Sequence, residues 1–202
     1  MSENTPAAPR AALAVAKAIR TITVPPVMVA GLILILYFAR GEMFRSWVDL
    51  AASLVGLAIF PVLAYPLSVA IPAVHKGGRA AQRSLAMYLS VAGYAGVFLY
   101  GLLAHVETGL MLIYTAYLLS VVLLVFINKV IRIRASGHGC SVTGPLVLTC
   151  YFLGMGGIIA GIALWGAILW ASLVRKSHTL REFLLGSATC VVGFFIALIF
   201  WH

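Results

Sequence analysis

His138 and His178 stand 40 residues apart, each in a short polar loop beside an apolar run and each with cations close by in sequence. The first loop reads N-K-V-I-R-I-R-A-S-G-H-G-C-S over residues 128 to 141. Lys129, Arg132 and Arg134 precede a small-residue turn, Ser136 and Gly137 ahead of His138, that is expected to open a helix. Backbone donors at a helix start, a glycine that lets an anion come close, and neighbouring cations together describe a phosphate or sulfate site. The same composition also suits a basic patch drawn to anionic lipid at a membrane surface. The second loop, R-K-S-H-T-L-R-E over 175 to 182, carries Arg175, Lys176 and His178, with Glu182 one helical turn beyond the histidine. At that spacing the carboxylate can accept an imidazole N–H and fix which ring nitrogen keeps its lone pair. Thr179-x-x-Glu182 also reads as a helix capping box, a role the glutamate can fill at the same time.

Two imidazoles, several cations and one carboxylate form a set suited to phosphoryl transfer. One histidine can attack phosphorus, the other can protonate the leaving oxygen, and the cations can neutralise the equatorial oxygens. A metal site fits the set less well, because the cations would repel a divalent ion and no second carboxylate is at hand. Neither a metal nor a cofactor is expected. Cys140, Cys150 and Cys190 lie in or beside apolar runs without a CxxC spacing, and read as small core hydrophobes.

The elements that must position these groups follow from composition. Apolar residues make up 63% of the chain and charged residues only 9%, far from the roughly 25% charged of a soluble domain. The apolar residues come in runs near the roughly 20 that a helix needs to cross a bilayer, not in the alternation of barrel strands. Seven segments are expected, at about 21–39, 48–74, 85–104, 109–128, 141–155, 157–174 and 182–201, with short connections that set neighbours antiparallel. The fold class is therefore all-α, a polytopic transmembrane bundle in one domain over 21–202. Residues 1–20 have no signal-peptide core and read as an amphipathic lead-in at the membrane surface. Pro61, Pro66 and Pro72 should bend the long second segment. The glycines of L-G-M-G-G-I-I-A-G should turn the fifth and sixth into a hairpin, which returns the chain from His138 to His178.

If the segments are right, twelve of the fourteen Lys and Arg residues face one side of the membrane, and only Arg40 and Arg45 face the other. The positive-inside rule makes the first side cytoplasmic, with the N-terminus and both histidine loops inside. Discounting the two loops that could gather cations for an anion leaves six against two, in the same direction. His75, Lys76, Arg79 and Arg83 read as a solvated, topology-setting loop on that side.

The sequence A-S-G-H at 135–138, then His178 with Glu182 four residues on and Gly186 in the next turn, resembles the type 2 phosphatidic acid phosphatase superfamily. That family's pattern is K-x6-R-P, then P-S-G-H, then S-R-x5-H-x3-D, on a helical bundle. The resemblance covers mainly the last 75 residues. It implies a phosphatase-like helical core, with His178 as the nucleophile that forms a phosphohistidine, His138 as the acid for the leaving group, and Glu182 in place of the orienting aspartate. Lys129 and Arg134 would stand for the first motif's cations. This chain departs from the pattern in three places: Lys129-x4-Arg134 is compressed, Ala135 replaces a proline, and Ala171-Ser172 stands where the family has Ser-Arg. Arg175 or Lys176 could replace that arginine.

Two functions are therefore expected from the sequence. The first is a metal-independent lipid phosphatase acting on a phospholipid phosphate or a polyprenyl (di)phosphate at the cytoplasmic leaflet of a bacterial or archaeal plasma membrane. The second is a phosphatase-like membrane protein without turnover, binding an anionic lipid or a protein partner. The bilayer and a lipid phosphate are the expected partners, and nucleic acid is not.

Overall fold

A computed structural model describes residues 9–175 and 177–202; Lys176, one of the expected phosphate-binding cations, lies outside the described residues. Among those residues the chain is helical throughout, with no strand. Its helices are α1 (Arg10–Ile22), α2 (Pro25–Ala39), α3 (Trp47–Ala70), α4 (Pro72–Lys76), α5 (Gly78–Ala104), α6 (Thr108–Val130), α7 (Gly137–Leu153), α8 (Met155–Val174) and α9 (Leu180–Trp201). Five of them, α3, α5, α6, α8 and α9, are long and apolar enough to cross a membrane, and α1 with α2 forms a sixth candidate bent by 55°. The protein is thus built as an integral membrane protein, with side chains such as Phe38, Leu103, Ile159 and Ile199 turned outward and largely exposed. In lipid such exposure has no hydrophobic cost.

The departures from the expected segments have local causes. The lead-in helix runs on to Ile22 and the break falls at Thr23 and Val24, because Pro25 and Pro26 can start α2 but cannot continue α1. In α3 a π-helical turn at Val55–Ile59 widens the helix just ahead of Pro61, which has no N–H to give. The helix then ends at Ala70, not at 74, because Ile71 before Pro72 is extended. α5 begins at Gly78, seven residues before the expected 85, so Arg79 and Arg83 ride on a helix instead of a loop. α7 likewise begins at Gly137, with Ser136 as its N-cap, and spans 17 residues, about 26 Å. A single glycine, Gly154 at φ 66, turns α7 into α8, a left-handed φ that suits glycine.

Packing is not simply sequential. α6 is the central helix, and α9 packs along both α6 and α7 while touching its sequence neighbour α8 only slightly. α8 lies between α7 and α1, and α2 leans on α7. The expected antiparallel pairing of consecutive helices holds for α5 with α6 and α7 with α8, but not for α8 with α9. The reason is in the glycines: Gly186 of α9 lies so close to the loop before α7 that an added Cβ would meet the Ser136 carbonyl oxygen at 2.0 Å. Gly139 of α7 would meet the Phe183 carbonyl at 2.6 Å in the same way. Small residues on facing helices let the backbones close, and here they close at the two histidine loops.

Candidate active site

The two loops are joined by backbone as well as by side chains. The Ser136 N–H donates to the Glu182 carbonyl at 2.8 Å, tying the first loop to the first turn of α9. Ser136 is fully buried and its Oγ accepts from the Gly139 N–H at 3.1 Å, so it caps α7. Asn128 holds the start of the same loop. Its amide donates to the Leu124 and Ala135 carbonyls, and its Oδ1 accepts from the Ala135 N–H. Asn128 can reach both because it lies in a π-helical turn, Phe126–Val130, that ends α6. Arg132 follows with a left-handed φ of 63, where the chain leaves that turn.

Glu182 is the hub of the second loop. Its Oε2 accepts from His178 Nδ1 and from the Thr179 N–H, both at 3.2 Å, while Thr179 Oγ1 accepts from the Glu182 N–H, so histidine orientation and the capping box coexist. Its Oε1 pairs with Arg134 Nε at 3.2 Å. With Nδ1 donating to the carboxylate, the lone pair of His178 resides on Nε2.

Both histidines line one cavity of about 560 Å³, enclosed by α1, α2, α3, α5, α6, α7 and α9. Lys129, Arg134 and Gly137 line it too, whereas Arg132 and Arg175 do not. Ser136 is committed to the cap, and Glu182 meets the cavity through His178. Two further cations line it, Arg20 from α1 and Arg83 from α5. Arg20 donates to Ser177 Oγ, and Lys129 donates to Ser84 Oγ at 3.2 Å. Arg20 came from a segment read as a lead-in, and only the contact of α1 with α8 brings it here. Arg83 could have been found from the start of α5, had the polar turn been extended into the helix.

Ser172, which the resemblance sets against an arginine, is fully buried, and its Oγ has no partner among the described residues. No cation can be replaced there without repacking. Arg20 donates to Ser177 Oγ, which in turn donates to the Ser172 carbonyl.

The electrostatics favour neutral imidazoles. Burial lowers the pKa of His138 to about 4, and the positive charge of Arg20 and the nearby His178 push the same way. His178 is lowered mainly by burial, with Arg20 and Arg134 adding to the effect and the Glu182 hydrogen bond opposing it. His138 Nε2 is buried and has no hydrogen-bond partner among the described residues. An orphaned imidazole nitrogen beside a ring of cations is a polar group waiting for an acceptor or donor that the chain itself does not supply.

Comparison of the chain with family models, with curated proteins and with solved structures finds no match in any of the three.

Proposed function

We propose that the protein is a membrane lipid phosphatase, removing phosphate from a phospholipid or polyprenyl (di)phosphate through a phosphohistidine, as its resemblance to the type 2 phosphatidic acid phosphatases implies. The observation that carries this reading is the meeting of His138 and His178, from opposite ends of a helical hairpin, in one cavity with Arg20, Arg83, Lys129 and Arg134. In this reading the phosphate sits among those cations and the hydrocarbon runs toward the apolar depth lined by Leu57, Met87 and Val121. His178 Nε2 attacks phosphorus, the N–P bond forms and the bond to the leaving oxygen breaks. Glu182, on Nδ1, balances the positive charge that the phosphorylated ring acquires. The entering phosphate brings negative charge beside His138 and raises its affinity for a proton, which it hands to the leaving oxygen. Water then attacks the phosphohistidine, gives its proton back to His138, and releases inorganic phosphate with His178 restored. The cations do the work of charge neutralisation, so no metal enters the mechanism. By the positive-inside rule the reaction faces the cytoplasm.

The test is phosphate release by the purified protein from a panel of lipid phosphates, with and without chelator. Release that survives chelation supports the reading. Absence of release from every lipid phosphate, with lipid binding retained, leaves the second reading, a phosphatase-like binder. That reading is favoured by the buried Ser172 where the family has an arginine.

A further inference from the structure

Two of the three free cysteines meet inside the bundle, and the phosphatase reading uses neither. Cys140 lies at the end of the first turn of α7, two residues past His138, and Cys190 lies midway along α9. They stand 50 residues apart in sequence, so no spacing motif marks them as a pair. The packing of α9 on α7 brings them together. They share one buried cluster with Leu124 and Ala135, and their thiols lie within hydrogen-bonding reach of each other. The glycines of α7 place the same sulfur independently. A Cβ on Gly144, one turn after Cys140 on the same face of α7, would meet Cys190 Sγ at 3.2 Å. Gly139, beside Cys140, is equally close to α9, where its Cβ would meet the Phe183 carbonyl oxygen at 2.6 Å. A disulfide needs such an approach, with the two Cα atoms within about 7 Å.

Both cysteines also line the histidine cavity, so a small neutral oxidant entering at its mouth reaches sulfur without crossing the packed core. Cys150 has neither feature. It stands ten residues beyond Cys140 on α7, about 15 Å away, and lines a separate apolar groove between α7, α8 and α9. Its Sγ faces α8, where a Cβ on Gly161 would meet it at 3.4 Å.

We propose that Cys140 and Cys190 are an oxidation site, at which hydrogen peroxide closes a disulfide that fastens α7 to α9 in the wall of the histidine cavity. One thiol gives up its proton and attacks a peroxide oxygen. The O–O bond breaks, leaving a sulfenic acid, and the departing hydroxide takes that proton as water. The second thiol attacks the sulfenic sulfur. The S–S bond forms, and the displaced hydroxide leaves with the second thiol's proton as another water. Two thiols and one peroxide thus give one disulfide and two waters, with two electrons passing from sulfur to peroxide. In a reducing cytoplasm the pair rests as the dithiol, and the bond forms only when oxidant arrives. Closure ties the ends of a loop of roughly 50 residues that holds α8 and the His178 loop, which should make the oxidised protein harder to unfold. The site does not depend on whether the protein turns over a lipid phosphate.

The experiment treats the full chain in lipid nanodiscs with hydrogen peroxide, blocks the remaining thiols, digests without reductant and maps the peptides by mass spectrometry. The peptides holding Cys140 and Cys190 should be joined, Cys150 should be found blocked as a free thiol, and dithiothreitol should part the joined pair. Cys150→Ala should form the same link, and Cys140→Ala and Cys190→Ala should not. Oxidation should raise the melting temperature of the unmodified chain by roughly 5–10 °C and leave that of Cys140→Ala where it was. Both thiols remaining free at a peroxide dose that oxidises glutathione in the same tube overturns the inference. A link to Cys150 or between two molecules overturns it as well. So does a melting temperature that stays or falls once the bond has formed, since the bond would then close against the fold. Should the alanine variants fail to fold, the peptide map of the unmodified chain decides alone.

Discussion

The two ends of the bundle hold their charges in different ways. At the end carrying Arg40 and Arg45, opposite charges are matched: Arg40 pairs with Glu42 at 2.5 Å and also caps the Phe152 carbonyl at the end of α7, and Arg45 pairs with Glu107 at 2.8 Å. Asp49, buried at the start of α3, accepts from the Tyr100 hydroxyl and from the Arg45 and Ser46 N–H groups. At the histidine end Glu182 answers both His178 and Arg134, while Arg20 and Lys129 meet serine hydroxyls. The first end is settled by its own residues and its interactions serve the fold. The second holds an excess of positive charge around a cavity and an imidazole nitrogen without a partner among the described residues, an arrangement that an anion completes in the proposed reading. Substitutions should therefore separate cleanly, costing activity at one end and stability at the other.

The largest effect should come from His178→Ala, which removes the covalent route and with it essentially all phosphate release, leaving thermal unfolding little changed. His138→Ala should slow release by roughly 10²- to 10⁴-fold, the usual span for a general acid. That loss should shrink for a nitrophenyl phosphate, whose leaving group needs little protonation. Arg20→Ala should raise KM and lower kcat together, by about 10²-fold in kcat/KM, and Arg20→Lys should recover only part, since a point charge cannot replace the planar fork. An Arg20→Ala protein with unaltered kinetics would remove Arg20 from the site and return the missing cation to the residues near 175.

Ser172→Arg gives the opposite expectation from the one the family pattern suggests. Ser172 is fully buried under the Ser177 hydroxyl, which donates to its carbonyl at 3.0 Å, so an added guanidinium would have to displace packed neighbours. It should lower stability without raising activity.

At the opposite end, Asp49→Ala should cost about 1–3 kcal/mol of stability, because it strands the Tyr100 hydroxyl and removes half of the capping box of α3, while kcat per folded molecule is kept. Arg45→Ala, whose ion pair is half exposed, should cost less than about 1 kcal/mol. If these far-end changes abolish turnover in folded protein, the division between the ends fails.

The smallest effect concerns pH. Both histidines have pKa values lowered by folding, so below the unfolded value of about 6.5 the unfolded chain binds more protons than the folded one. Stability should hold above that value and fall as pH drops toward about 4, where His138 also protonates. His138→Asn should flatten part of that decline at the histidine end, and saturating inorganic phosphate should reduce it by favouring the charged ring.

Much of the fold was legible in the sequence because membrane helices announce themselves by length and apolarity, and the hairpin by Gly154. The helix start at 78 was not, since a polar first turn leaves no trace in hydropathy, whereas the small-residue turn at 136–138 signalled the one at 137. The partnership of His178 and Glu182 was legible because the two lie four residues apart, the histidine just ahead of the helix N-cap and the glutamate in its first turn. Arg20 was invisible for the converse reason: it comes from a helix far away in sequence, and only the packing of α1 on α8 brings it to the histidine loops. The proposed cytoplasmic face rests on charge alone. A single cysteine placed in residues 75–84, with the native cysteines removed, should resist an impermeant thiol reagent in intact cells and react after lysis; labelling in intact cells would reverse the orientation.

The central claim is that the histidine end transfers phosphate through His178, and the most direct measurement is rapid alkaline quench of the protein turning over a radiolabelled lipid phosphate, followed by peptide mapping. Acid-labile, alkali-stable phosphate on His178, absent in His178→Ala, is the expected result. Phosphate on another residue, or release of phosphate that His178→Ala leaves intact, would contradict it.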